Sequence, residues 1–195
     1  MSTPNNRPRS NVAPKTPPIA MCKVCENGDI ILPLCRLQYP ALDAPKDYQG
    51  DGRDKYRATF IFPDSADLTA LEEIIAEKMK DLRITKLTHP PIRDDKDNAE
   101  AGFNPGTRFA NASSKFKPRL FDVSKNEIGA EFFYPGCYVR PRVNVYAWTN
   151  FKPNGVGVGL QAIQFVRDGE PLSSGGGNAD PSDFDEIDEN YNPDF

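Results

Sequence analysis

A chain of 195 residues with 38% hydrophobic content suits one domain with tails better than two domains. The net charge of −4 averages two unlike parts. Of the 28 acidic residues, seven fall within 180–195, which has no Lys or Arg, so the rest of the chain has 24 basic and 21 acidic residues.

The polar start of the chain has no signal-peptide pattern, and no apolar run reaches the ~18 residues that a membrane helix needs. We therefore expect a cytoplasmic protein with its four cysteines reduced.

Composition divides the chain into three parts. Residues 1–20 hold five prolines among polar residues and cannot bury enough apolar surface to offset the entropy of ordering, so we predict that they are disordered. Residues 21–172 contain the hydrophobic periodicity and form the predicted domain. The third part, 173–195, begins with a run of Ser, Gly and Asn that is typical of a flexible linker and continues as an acidic tail.

The domain is predicted to be mostly strand. An apolar run over 29–37 is interrupted by Pro33, which is consistent with an edge strand or a bulge. Apolar and polar residues alternate over 55–62, as in a strand with one buried face. Further strands are predicted over 107–112, 138–148 and 156–167, the last with glycines that suggest a bulge or a close backbone approach.

One clear helix is predicted, over 68–82. Its apolar residues fall on one stripe, and Asp67 or Ser65 can cap its start. Short strands, a single helix and turns rich in Gly and Pro favour a small barrel or a rolled sheet. A parallel fold of alternating strands and helices would need more helices, so the predicted fold class is mainly β.

The strand predicted over 138–148 has two unlike faces. Because successive side chains point to opposite sides of a strand, one face is apolar and suited to a core. The other face consists of Tyr138, Arg140, Arg142, Asn144, Tyr146 and Trp148. Single-stranded nucleic acid offers phosphates to arginines and unstacked bases to aromatic rings, at about 1–3 kcal/mol per stacked base. This face therefore predicts a sequence-tolerant site for a single strand.

Two other groups extend the predicted site. They are basic residues on the polar side of the strand over 55–62 and a basic loop around one aromatic residue, which together could follow a nucleic-acid backbone. The residues are Lys55, Arg57, Lys115, Phe116, Lys117 and Arg119. The alternative is that Tyr146 and Trp148 cover a second core while the arginines are merely solvated, since large aromatics are usually well buried.

Five separated motifs carry a family resemblance. They are Lys55–Thr59, Asn111–Lys115, Phe133–Tyr138, a glycine-containing group at 155–164, and Arg167–Leu172. In this order and spacing they resemble a bacteriophage family of OB-fold single-stranded DNA-binding proteins, over roughly 30–172. The resemblance implies an OB-fold-like antiparallel barrel that is not an enzyme, needs no cofactor and coats single strands during phage replication or recombination. The predicted helix lies earlier in the chain than in the commonest OB arrangement.

The acidic tail has two interpretations. It can serve solubility alone, or it can occupy the basic groove without DNA and, once displaced, offer its aromatic end to a replication or recombination protein. The second interpretation resembles the acidic C-terminus of single-stranded DNA-binding proteins. The predicted partner-binding residues are Asp183, Phe184, Asp185, Glu186, Asp188, Glu189, Asp194 and Phe195.

Two other kinds of chemistry and a structural role are the alternatives that the sequence offers. Cys22 and Cys25 have the spacing of half a zinc site, but only Cys35, Cys137 and one histidine could complete it, so no metal is predicted. The acidic stretch at 93–98 could suggest a metal-dependent nuclease, yet its carboxylates share one polar loop with basic residues. A phage structural or scaffold protein is the third alternative.

Overall fold

The structure, a computed structural model, describes residues 18–47, 53–95, 106–149 and 154–172. Residues 1–17 of the N-terminus predicted to be disordered lie outside these ranges, as do the linker and acidic tail at 173–195. The division of the chain into three parts therefore stays a prediction. No helix within the described ranges is long and apolar enough to cross a membrane.

Strands dominate these ranges, with one α-helix. The helix, α1, spans Thr69–Asp81, and short 3-10 turns occur at Pro18–Ala20 and Ala130–Phe132. The strands are β1 (Lys23–Val24), β2 (Ile30–Ile31), β3 (Cys35–Lys46), β4 (Lys55–Ile61), β5 (Ile92–Asp95), β6 (Thr107–Ser114), β7 (Arg119–Phe121), β8 (Tyr138–Trp148) and β9 (Gly155–Arg167).

Five of the strands close into a barrel, in the order β3, β4, β6, β9, β8 and back to β3. The β6–β9 pairing is parallel, with Ala112 opposite Val158, and the other four are antiparallel. This is a five-stranded Greek-key barrel of the OB type, so the predicted fold class is confirmed. The early position of α1, between β4 and β6, leaves this strand order intact.

The apolar run predicted as one strand over 29–37 forms two strands. β2 ends before Pro33 and β3 begins after it, because proline has no N–H to donate to a ladder. Leu32, just before the break, donates its N–H to the carbonyl of Pro141 on β8 at 2.8 Å. β2 pairs with β8, and β3 closes the barrel.

The interior of the barrel is packed with aliphatic and aromatic side chains. The largest that are fully buried include Ile30, Leu32, Leu37, Phe60, Phe62, Leu68, Leu71, Val139, Val143, Leu160 and Ile163. α1 packs against β8 and β9. Its bounds agree with the predicted helix to within one residue at each end, and the N–H of Thr69 donates to the predicted capping carboxylate, Asp67, at 3.0 Å.

Candidate nucleic-acid interface

The two predicted faces of β8 are present over most of its length. Val139, Pro141 and Val143 are buried in the barrel, while the residues between them lie on the outward face. The predicted core face ends at Ala147, which is exposed at the end of the strand although its partner on β9, Val156, is buried. The outward side chains of β8 are therefore available for a site on the barrel surface.

Tyr146 and Trp148 form an aromatic pair on this outward face, called the ring pair below. Their centroids are 6.0 Å apart and their planes are inclined at 46°. Tyr146 is 38% exposed and Trp148 is half-buried. The two rings are thus at the surface rather than inside a second core, and they meet the first requirement for stacking on bases.

A continuous row of residues links the ring pair to β4. Tyr146 is opposite Gly157 on β9, and the parallel register of β9 with β6 places Asn111 beside that glycine. Asn111 in turn is opposite Thr59 on β4, whose Oγ1 donates a 2.7 Å hydrogen bond to Oδ1 of Asn111. The outward faces of β8, β9, β6 and β4 therefore form one surface.

This surface leads to a basic cleft of about 560 Å³, called the β4–β6 cleft, which is lined by Arg57 and Arg93 together with Thr59, Asn111, Ser113 and Tyr39. Tyr39 is 52% exposed and has φ of 48°, in the left-handed region that a non-glycine residue rarely adopts. Arg57 was predicted for the site.

Tyr39, Arg93 and Asn111 were not predicted. Tyr39 lies at an irregularity of the β3–β4 register, and Arg93 reaches the cleft because β5 pairs with β6. In the sequence, Arg93 is only part of an acidic stretch. The spacing of residues therefore could not predict that Tyr39 and Arg93 line the same cleft.

A second basic cleft, of about 510 Å³, lies among β7, β8 and β9. This β7–β9 cleft is lined by four cations, Arg119, Lys125, Arg140 and Arg142, beside Asp29 and two glutamines. Arg119 has an ion pair at 3.4 Å with Glu127. The buried Nε of Arg140 has no hydrogen-bond acceptor within the part of the chain that the structure describes. The four cations make this cleft suited to an anion such as a phosphate.

The structure separates Tyr138 from the ring pair. Its ring is already covered by guanidinium groups, with Arg167 at 3.7 Å and Arg36 at 5.7 Å from the centroid. Arg36 is held in place because it donates to the carbonyls of Gly136 and Glu170. The predicted residue Tyr138 therefore presents a less accessible ring than Tyr146 does.

The remaining predicted residues lie in less defined positions. Phe116 is 83% exposed in the loop after β6, and Lys117 of that loop has an exposed ion pair with Asp43 at 3.4 Å. Lys115 is exposed in the same loop, and Lys55 is half-buried at the start of β4. Neither lines one of the two clefts. Their part in a binding site stays a prediction.

The cysteines are buried or partly buried thiols. Burial raises the pKa of Cys22 and of Cys137 to about 11, and raises that of the fully buried Cys35 well above its usual value. Within the described residues, no group of three or more His, Cys, Asp and Glu side chains could hold a metal ion. Residues 96–98 of the acidic stretch considered for a nuclease lie outside those residues.

A closed OB-type barrel with exposed aromatic rings and basic clefts defines a class, the OB barrels that bind oligonucleotides or oligosaccharides on their surface. A family described as Enterobacter phage Enc34, ssDNA-binding protein, matches residues 28–195. The chain belongs to this family, as the resemblance predicted. It is also 32% identical over 167 residues to protein p50 of Acyrthosiphon pisum secondary endosymbiont phage 1, covering 78% of this chain and 90% of that protein.

Solved structures share the fold. The single-stranded DNA-binding protein from bacteriophage Enc34, in complex with ssDNA, superposes with a TM-score of 0.64 at 23% identity, over 78% of this chain and 93% of the other. Gp2.5, a single-stranded DNA-binding protein encoded by bacteriophage T7, gives 0.50 at 14% identity, over 86% and 98%. At these identities the structural likeness supports the barrel architecture.

Proposed function

We propose that this protein binds single-stranded DNA on the outward surface of the barrel, largely without regard to sequence. Bases stack on Tyr146 and Trp148, and phosphates are met by the arginines of the two basic clefts. Family membership supports this class of ligand, and the geometry supports the location. The function is binding, not catalysis, as in the family to which the chain belongs.

One observation carries the location: the exposed ring pair shares one continuous outward surface with two basic clefts, one across the sheet and one along β8. Across the sheet, Asn111 and Thr59 connect the pair to the β4–β6 cleft. Along β8, Arg142 lies four residues before Tyr146 and Arg140 lies six residues before it. At the rise of a strand these separations are about 14 and 20 Å. A single strand can therefore keep its bases on the rings while its phosphates reach the cations of either cleft.

Both kinds of contact are indifferent to base identity. Every base has a π-face for stacking, and the phosphates are the same along the strand. The binding should accordingly be sequence-tolerant. It should also weaken steeply with salt, because arginine and lysine side chains that contact phosphates release the counterions of the DNA. A duplex hides its base faces and should bind more weakly.

The acidic tail has a proposed role beside this surface. Its seven carboxylates are opposite in sign to the clefts, so the tail can occupy them when DNA is absent and recruit a replication or recombination protein when it is displaced. A protein of this family that coats replicating or recombining phage DNA would act in the cytoplasm of the host bacterium.

The test is a titration of the full chain with a labelled dT oligonucleotide and with duplex DNA, each at about 50 and 200 mM salt. Strong, salt-sensitive binding of the oligonucleotide with weaker duplex binding is expected. Equal affinity for both forms would contradict stacking on the ring pair. Recovery of an intact oligonucleotide after incubation with magnesium distinguishes binding from the nuclease alternative, and self-assembly without DNA binding would favour the scaffold alternative.

A further inference from the structure

Glycines occupy alternate outward positions at the start of β9. Gly155, Gly157 and Gly159 are opposite Trp148, Tyr146 and Asn144 on β8. None of the three has the positive φ that usually explains a glycine. Glycine also weakens a strand interior because it adds backbone entropy and no side-chain packing. Their presence in an ordinary strand therefore needs another cause.

Glycine is needed at Gly155 and Gly157 because the aromatic rings of β8 already fill the space that a side chain would occupy. A Cβ added to Gly155 would lie 2.0 Å from Cζ2 of Trp148, and one added to Gly157 would lie 2.8 Å from Cζ of Tyr146 and 3.0 Å from Cζ3 of Trp148. Real Cβ atoms essentially never approach a neighbour within 3.0 Å. The two rings thus lie directly over the Cα atoms of β9, in the volume that other residues would fill.

We infer that Gly155 and Gly157 are positioning residues, which allow Trp148 and Tyr146 to lie along the sheet with one side on the β9 backbone and the other toward the ligand. This inference rests on the proposed function for the ligand, but the placement of the rings does not depend on it. Rings held in this way before binding lose little rotamer freedom when a base stacks on them. A side chain at either position would turn the rings away from the sheet.

The first experiment compares Gly155→Ala with the native chain. The emission maximum and acrylamide quenching of Trp148, the sole tryptophan, report the ring's surroundings without DNA, and a dT titration reports the affinity. We expect altered emission, a folded barrel by circular dichroism, and binding of the oligonucleotide weakened by about tenfold, the loss of one stacked base. The salt slope should not change, since no cation is altered.

A matched control is Gly159→Ala, which makes the same chemical change on the same face of the same strand. Its Cβ would lie 2.1 Å from Oδ1 of Asn144, the far end of a flexible side chain that can move aside, whereas the nearest ring atom, Cδ1 of Tyr146, would be 3.5 Å away, an ordinary contact. Emission and affinity should both stay close to those of the native chain. An equal effect of Gly159→Ala would show that any substitution in this part of β9 is harmful and would overturn the inference.

A double-mutant cycle gives the decisive test. If Gly155 acts through Trp148, then Gly155→Ala should have no further effect on DNA affinity once Trp148→Ala is present. Effects that multiply would overturn the inference. If Gly155→Ala alone fails to fold, Trp148→Ala should restore the fold by removing the clash, and a failure to restore it would equally contradict the role. Unaltered Trp148 emission in Gly155→Ala rejects the positioning, whereas a native chain that binds no oligonucleotide rejects the proposed function instead.

Discussion

The guanidinium of Arg142 donates from Nε to Oδ2 of Asp29 at 2.8 Å, and one of its terminal nitrogens forms an ion pair with the same oxygen, also at 2.8 Å. The side chain of Asp29 is only 16% exposed. Among the described residues that line the β7–β9 cleft, Asp29 is the one acid beside four cations. The pair therefore orients Arg142 while it neutralises part of the positive charge that a phosphate would meet.

Replacing Asp29 with Asn should tighten DNA binding. Asn keeps an oxygen that can accept from Arg142 but removes one negative charge from the cleft, and a unit charge near the surface is worth about 1 kcal/mol, or about fivefold in affinity. The measurement is fluorescence anisotropy of a labelled dT oligonucleotide at low salt. Glu73→Gln, an exposed position on α1, makes the same charge change elsewhere. If it tightened binding equally, only the net charge would matter and the cleft would not be the site.

Arg140 is predicted to contact a phosphate. Arg140→Ala should reduce the slope of log K against log salt by about 0.7, the value expected for the loss of one contact with a single strand. Arg57→Ala should reduce it by a similar amount if DNA also enters the β4–β6 cleft, so the two variants show which clefts are used. Lys80→Ala, an exposed change on α1, serves as control. An Arg140→Ala slope equal to that of the control would place the phosphates elsewhere.

The strand over 138–148 was predictable because it is long and its two faces differ strongly. Eleven residues with a period of two fix both the element and the orientation of Tyr146 and Trp148. The helix was predictable for the same reason, with a period of 3.6 over its length. Strands of two to four residues, such as β1, β2, β5 and β7, are too short to show any period.

Other parts of the candidate site depend on contacts between distant residues. Asp29 and Arg142 are 113 positions apart, and the residues around each of them do not indicate that the two form an ion pair. Tyr39 gains its position from an irregular register with a positive φ, which no alternation predicts. The glycines of β9 were visible in the sequence as a close backbone approach, but the rings above them became evident only from the register of β8 with β9.

The two members of the ring pair should dominate the stacking energy. Tyr146→Ala and Trp148→Ala should each weaken binding of a dT oligonucleotide by about 1–3 kcal/mol. Binding should also quench the fluorescence of Trp148. Tyr138→Ala should weaken binding less, because the arginines already cover that ring. If Tyr138→Ala proved as harmful to binding as Trp148→Ala at equal stability, the site would extend to the opposite end of β8.

The buried thiols predict a loss of stability at alkaline pH. Burial raises the pKa of Cys22 and Cys137 from 9.0 to about 11, so between these values the unfolded chain loses protons that the folded chain retains. The contribution of these thiols to the free energy of unfolding is constant below pH 9 and disappears as the pH rises toward 11. Thermal melts from pH 7 to 11 should show a smaller alkaline decline for Cys22→Ala with Cys137→Ala than for the native chain. Parallel curves would mean that these thiols do not contribute.

The acidic tail supplies the last prediction. Deleting 180–195 should tighten binding to a dT oligonucleotide at low salt, because seven carboxylates no longer compete with phosphates for the basic clefts. The gain should fade near 1 M salt, where the Debye length falls to about 3 Å. A full-length variant with all seven replaced by Asn or Gln separates charge from length and should match the deletion. If the deletion alone tightened binding, the tail would act by occupying space rather than by its charge. If both variants bound DNA with the affinity of the native chain, and the deletion variant still recruited a partner protein, the tail would serve solubility alone.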